Sequence, residues 1–207
     1  MSILSCGYNG FQNLGTTHEN HIVNGDVELL PPTVLQIAAG YSKTYALLES
    51  GEVVELSSKL QDRWILPDGV VKLVGGLDVF GAISARGHFY MWGISPAFPK
   101  MPHTPTQQEV EFGDVVDASF GNGCILLLTT GGDVHSYGTN ANGCLGIPGL
   151  LHATKPTLVA FEGLGPDTKI SAICCQWGSH CVAINKDGGV VVWGSNSKGQ
   201  LGLGGGA

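Results

Sequence analysis

Few residues in this sequence are of a type and spacing that could do chemistry. His18, Glu19 and His21 place two imidazoles and a carboxylate within four positions, a donor set suited to a divalent cation. A metal centre needs three or four converging ligands and a supporting shell. No further ligand stands near these three in the sequence, so they read as a solvated loop. Cys174, Cys175, His180 and Cys181 form a denser group. Neighbouring residues of a strand point to opposite faces, so Cys174 and Cys175 do not turn toward one ion. These cysteines read as small apolar side chains packed between layers. The tail Gly202-Leu203-Gly204-Gly205-Gly206 is a loose match to a phosphate loop, but no helix follows to supply a dipole. Neither a Gly-x-Ser-x-Gly elbow nor a Gly-x-x-x-x-Gly-Lys-Ser/Thr loop occurs. On these residues the chain is expected not to be an enzyme, and to use no metal and no cofactor.

Composition narrows the class. Hydrophobic residues make up 43% of the 207, enough for a core, while only 13% are charged. Soluble domains usually carry about 25% charged residues. Low charge with adequate hydrophobicity is the reverse of a disordered chain. The 32 glycines follow no three-residue period, which excludes a collagen-like helix. The net charge of −7, with no basic run, argues against direct nucleic-acid binding. No apolar stretch reaches the ~18 residues of a membrane span. The start, Met1 to Gly7, lacks the basic region of a signal peptide. The six cysteines include no Cys-x-x-Cys pair, and no Asn-x-Ser/Thr acceptor is present. The expectation is a nuclear or cytoplasmic protein with reduced thiols.

The elements that position these residues come from a repeat. Residues 190–202 (VVVWGSNSKGQLG) recur as 134–146 (VHSYGTNANGCLG), then as 88–93 (HFYMWG) and, degraded, as 53–57 (VVELS). A glycine precedes each copy, at Gly51, Gly87, Gly132 and Gly189. Upstream lies an apolar run (44–48, 80–83, 125–128, 181–184), and before that another (34–39, 70–74, 115–120, 170–175). Successive turn glycines stand 36, 45 and 57 residues apart, so constant strands are joined by variable loops. Such short runs rich in Val, Ile, Leu and aromatics, bounded by Gly, Asn, Asp or Ser, are strands and turns. An outer strand such as 109–112 or 157–161 completes a four-stranded antiparallel blade. Blades apolar on both faces must stack, and the predicted fold is an all-β propeller. Trp92, Tyr137 and Trp193 share one position in the repeat and are core residues rather than a ligand cage.

The pattern resembles the regulator of chromosome condensation repeat family. The last unit carries most of the resemblance, in His180, Ala183, Gly189, Trp193, Gly194, Asn196 and Gly199-Gln200-Leu201-Gly202. Earlier units read Lys43, Val79 and Cys124 at the histidine position, and Leu56, Trp92 and Tyr137 at the tryptophan position. The resemblance implies a propeller, usually of seven blades, with His180 as an internal hydrogen-bonding residue. It also implies functions from nucleotide exchange on small GTPases to chromatin docking, ubiquitin-ligase accessory roles and enzyme inhibition. The N-terminal third, with Cys6-Gly7-Tyr8, 51–57 and Asp62-Arg63-Trp64, is similar to a chromatin-associated adaptor branch that engages a JmjC-type oxygenase.

The expected organisation is a single propeller-type domain over 1–207, too short for a full seven-bladed ring. Its units are an orphan N-terminal strand in 1–15, then 27–57, 64–93, 109–146 and 157–202. About four blades and one orphan strand make a partial propeller, whose open ends would be covered by a partner or a second copy. Interblade loops are the expected contact surfaces. Foremost is the proline-rich loop 96–103, where Phe98, Lys100, Met101 and His103 are candidate partner-binding residues. The expected function is a non-catalytic protein-interaction adaptor or scaffold. Nucleotide exchange on a small GTPase is the alternative.

Overall fold

The computed structural model describes residues 4–5, 25–26, 33–56, 62–161, 164–165, 168–175 and 180–203. His18, Glu19, His21 and most of the glycine-rich tail lie outside these residues. At the N-terminus β1 (Leu4–Ser5) pairs antiparallel with β2 (Gly25–Asp26). Three four-stranded antiparallel sheets follow. The first holds β3 (Val34–Ala39), β4 (Thr44–Leu48), β5 (Glu52–Glu55) and β6 (Arg63–Ile65). The second holds β7 (Val70–Gly75), β8 (Val79–Ser84), β9 (Phe89–Gly93) and β10 (Thr106–Gln107). The third holds β11 (Val115–Phe120), β12 (Cys124–Thr129), β13 (Val134–Thr139) and β14 (His152–Leu158). A three-stranded sheet of β15 (Ile170–Cys174), β16 (His180–Asn185) and β17 (Val190–Gly194) closes the series. Among the described residues no strand connects out of order and there is no helix.

Each sheet is a blade, and the blades stack. The first strands stand side by side: Gln36 donates from Nε2 to the Val71 carbonyl at 3.1 Å and accepts from the Leu73 N–H at 2.8 Å. Between the third and fourth blades the Cys175 N–H donates to Ser119 Oγ at 2.8 Å. The middle strands carry the burial. Every residue of β4, β8 and β12 is buried, because a middle strand has a blade face on either side. Between the first two blades, Tyr45 meets Phe80 edge-on at 4.5 Å and Trp92 at 5.3 Å, with Trp64 at the rim. That two-sided burial leaves charge few places to sit, which accounts for the low charged fraction.

Two details differ from the sequence reading. The outer strand of each complete blade comes from the residues after its third strand. The second blade is completed by β10, and residues 109–112 form no strand. Residues 157–158 belong to β14 and therefore to the third blade, not to a unit beginning at 157. The unit boundaries move accordingly, because a chain leaving the third strand turns straight back along its free edge. The turn glycine of the last unit is Gly188 (φ 85°), not Gly189. Its N–H bonds the Asn185 carbonyl at 3.0 Å, matching Gly51 to Leu48, Gly87 to Ser84 and Gly132 to Thr129, each 2.9 Å. A positive φ at that position is what selects glycine.

Candidate protein-docking face

The second-to-third-strand turns (49–51, 85–87, 130–132, 186–188) lie at one end of the blades, and the long connections 94–105 and 140–151 lie at the other with the first-to-second-strand turns. At the long-loop end, three first-to-second strand turns repeat the same closure. Gly40 N–H bonds the Lys43 carbonyl, Gly76 the Val79 carbonyl and Gly121 the Cys124 carbonyl, each at 2.8 Å. Glycine is required at two of them by space alone. A Cβ on Gly40 would sit 2.5 Å from the Phe80 ring, and one on Gly76 2.6 Å from Phe120 Cβ. So tight a turn pushes the following residue outward: Tyr41, Leu77 and Asn122 are all exposed.

These turns are tied to one another. The Tyr41 N–H donates to the Leu77 carbonyl, and Ser42 gives Asp78 Oδ1 two hydrogen bonds, from N at 2.9 Å and Oγ at 2.7 Å. The Asp78 carbonyl accepts from the Ile94 N–H at 2.8 Å. Tyr41 (52% exposed), Leu77 (49%) and Ile94 (62%) therefore stand on a hydrogen-bonded frame spanning two blades. Beside them a recess of about 90 Å³ opens between the second and third blades, lined by Leu77, Ile94, Phe98 and Asn122. Exposed apolar residues on a rigid frame suit docking of another protein, since little ordering cost remains to be met on binding.

The proline-rich loop divides in two. Phe98 is half-buried and meets Tyr137 edge-on at 5.6 Å, and Met101 packs on the same core. They anchor the loop, so the expectation that both present themselves to a partner does not match their packing. Lys100 and His103 face solvent. Trp92 and Tyr137 are core residues, and Trp193, half-buried, donates from Nε1 to the Cys144 carbonyl at 2.9 Å. His180 is half-buried at the start of β16, and its carbonyl lies 3.5 Å from Cys175 Sγ. Cys174 is exposed and Cys175 buried, as strand alternation requires. Tyr41, Leu77 and Ile94 escaped the sequence reading. The recurring glycine before each turn was the available signal.

The groups with shifted ionisation lie inside the blades. Burial raises Tyr137 above the usual tyrosine range, and raises Tyr45 with help from the neighbouring Glu55 carboxylate. Desolvation lowers His135, which stacks on Phe112 at 3.4 Å, with Asp133 opposing. The Cys124 and Cys181 thiols beside Cys175 pull it below the ordinary thiol range. No described helix is long and apolar enough to cross a membrane.

Comparison with known proteins agrees with the repeat. Residues 170–200 match the model of the regulator of chromosome condensation (RCC1) repeat. Over 97% of its length the chain is 26% identical to the secretion-regulating guanine nucleotide exchange factor of Bos taurus, covering 50% of that protein. The chain thus spans about half the length of this curated relative. Among solved structures, human WBSCR16 superposes with a TM-score of 0.84 at 24% identity, over 99% of this chain and 60% of that one. Prp20p of Saccharomyces cerevisiae, described with its binding properties to Gsp1p and histones, gives 0.79 at 22%, over 98% and 55%. The expectation of no catalytic activity is corrected by the first of these relatives. Nucleotide exchange is catalysis, and it needs neither acid–base residues nor a nucleophile, so motif searching was blind to it. Repeat, blade order and fold all support a likeness to the regulator of chromosome condensation repeat family, whose repeat model residues 170–200 match.

Proposed function

We propose that this chain is a propeller sector of a guanine nucleotide exchange factor, holding a small GTPase against the long-loop end of its blades. The observation that carries this is the similarity to a named exchange factor along 97% of the chain. The frame bearing Tyr41, Leu77 and Ile94 supports it by supplying a rigid, partly apolar contact. An exchange factor works by binding the nucleotide-free GTPase more tightly than the nucleotide-bound form, lowering the barrier to release. A preorganised surface suits that task because its shape does not yield to the bound-state conformation. Residence in the nucleus or cytoplasm accords with such a partner. The JmjC-type oxygenase has no support beyond the N-terminal residues that suggested it and is not carried forward.

The test is release of a fluorescent guanine nucleotide from a panel of purified small GTPases. Substoichiometric chain should accelerate release from at least one of them. Combining Tyr41→Ala, Leu77→Ala and Ile94→Ala should reduce the acceleration at least tenfold while leaving the circular dichroism unchanged. Absence of acceleration across the panel, even at equimolar chain, overturns the proposal.

A further inference from the structure

We propose that Cys124, Cys144, Cys175 and Cys181 bind a thiophilic divalent metal ion of the zinc class, joining the third blade to the fourth. The four come from separate places: the start of β12, the turn after β13, the residue following β15, and β16. Their exposures are 0%, 2%, 1% and 0%. The sulfurs of Cys124, Cys175 and Cys181 lie within 4.8 Å of one another, with Cys124 and Cys175 at 3.6 Å. Tetrahedral zinc, with Zn–S near 2.3 Å, sets its sulfurs about 3.8 Å apart. Cys144 stands just outside that group, its Sγ donating to the Thr139 carbonyl at 3.2 Å and its carbonyl accepting from Cys181 Sγ at 3.4 Å, and supplies the fourth thiol.

Packing alone does not ask for sulfur here. The repeat position held by Cys124 carries Lys43, Val79 and His180 in the other blades, and that of Cys181 carries Thr44, Phe80 and Ile125. A set made only of soft sulfur donors selects zinc-class ions over magnesium or calcium. Without metal, three of the thiols donate to carbonyls: Cys144 to Thr139 at 3.2 Å, Cys181 to Cys144 at 3.4 Å and Cys175 to His180 at 3.5 Å. Binding therefore breaks four S–H bonds, forms four metal–sulfur bonds and releases the protons to solvent, with no change in oxidation state. Affinity rises with pH.

The full chain, purified with reductant and stripped with chelator, is titrated with Co²⁺ and then with Zn²⁺. The expected result is one Co²⁺ per chain, with a near-ultraviolet sulfur-to-cobalt band and the visible bands of a tetrahedral thiolate site, both bleached by Zn²⁺. Cys144→Ala and Cys181→Ser should lose these bands, and Cys174→Ser should keep them. Because a core substitution can itself disturb folding, the unmodified chain is decisive. Absence of a cobalt–thiolate band, or thiol reactivity unchanged by Zn²⁺, overturns the proposal, as does a disulfide within the cluster under the same conditions.

Discussion

Val134 and Val190 occupy the same position of the repeat, two residues after the turn glycines Gly132 and Gly188, yet they are 1% and 64% exposed. Val134 packs between the third and fourth blades with Leu128, Val159, Ile170 and Ala183. Val190 pairs with Ile184 on the outer face of the fourth blade, and no described residue covers it. Trimming valine to alanine removes two carbons, at about 0.8 kcal/mol each when buried. A cavity in a layer that cannot collapse adds to this, so Val134→Ala should cost about 2–3 kcal/mol. Val190→Ala should stay within about 0.5 kcal/mol of zero. Urea unfolding followed by tryptophan fluorescence and circular dichroism measures both. For a chain of this size, each kcal/mol corresponds to about 2–4 °C in Tm, so the two variants should differ by roughly 4–12 °C. Equal losses would refute the reasoning and would mean that the fourth blade's outer face is covered in solution.

His135, buried against Phe112 with its Nδ1 unpartnered, has its pKa lowered by desolvation. Its contribution to stability is complete above the ordinary histidine value of about 6.5 and is lost as pH falls from there through the depressed folded value. His135→Phe should flatten that part of the stability profile, measured by urea midpoints from neutral to acidic pH. Gly132→Ala should destabilise by more than about 1 kcal/mol in the same assay, because its φ is 81° and a Cβ would lie 2.8 Å from Lys169 Cβ. Glu55 is 4% exposed, with Lys43 Nζ at 2.8 Å and Tyr45 Oη at 3.3 Å. Lys43→Met should therefore cost about 1–2 kcal/mol, the ammonium being partly exposed, and adding Glu55→Gln should recover much of it, read as a double-mutant cycle.

The propeller was legible because its information is local. Short apolar runs such as 44–48 and 125–128, and a turn glycine five positions before Trp92, Tyr137 and Trp193, are dictated by residues that are neighbours in the chain. The short outer strands were not legible. Thr106 and Gln107 are exposed polar residues that become a strand only because β9 offers an unpaired edge. The candidate docking face was legible only in part: Lys100 and His103 are exposed, but the packing of Phe98 on Tyr137 depends on the neighbouring blade. The cysteines show the same limit, since Cys124 and Cys175 are 51 positions apart and meet only once their blades stack. By itself, the sequence determined strands, turns and their order. Tertiary structure decided which copy of a repeated residue is core and which is surface, because that depends on whether another blade lies against it.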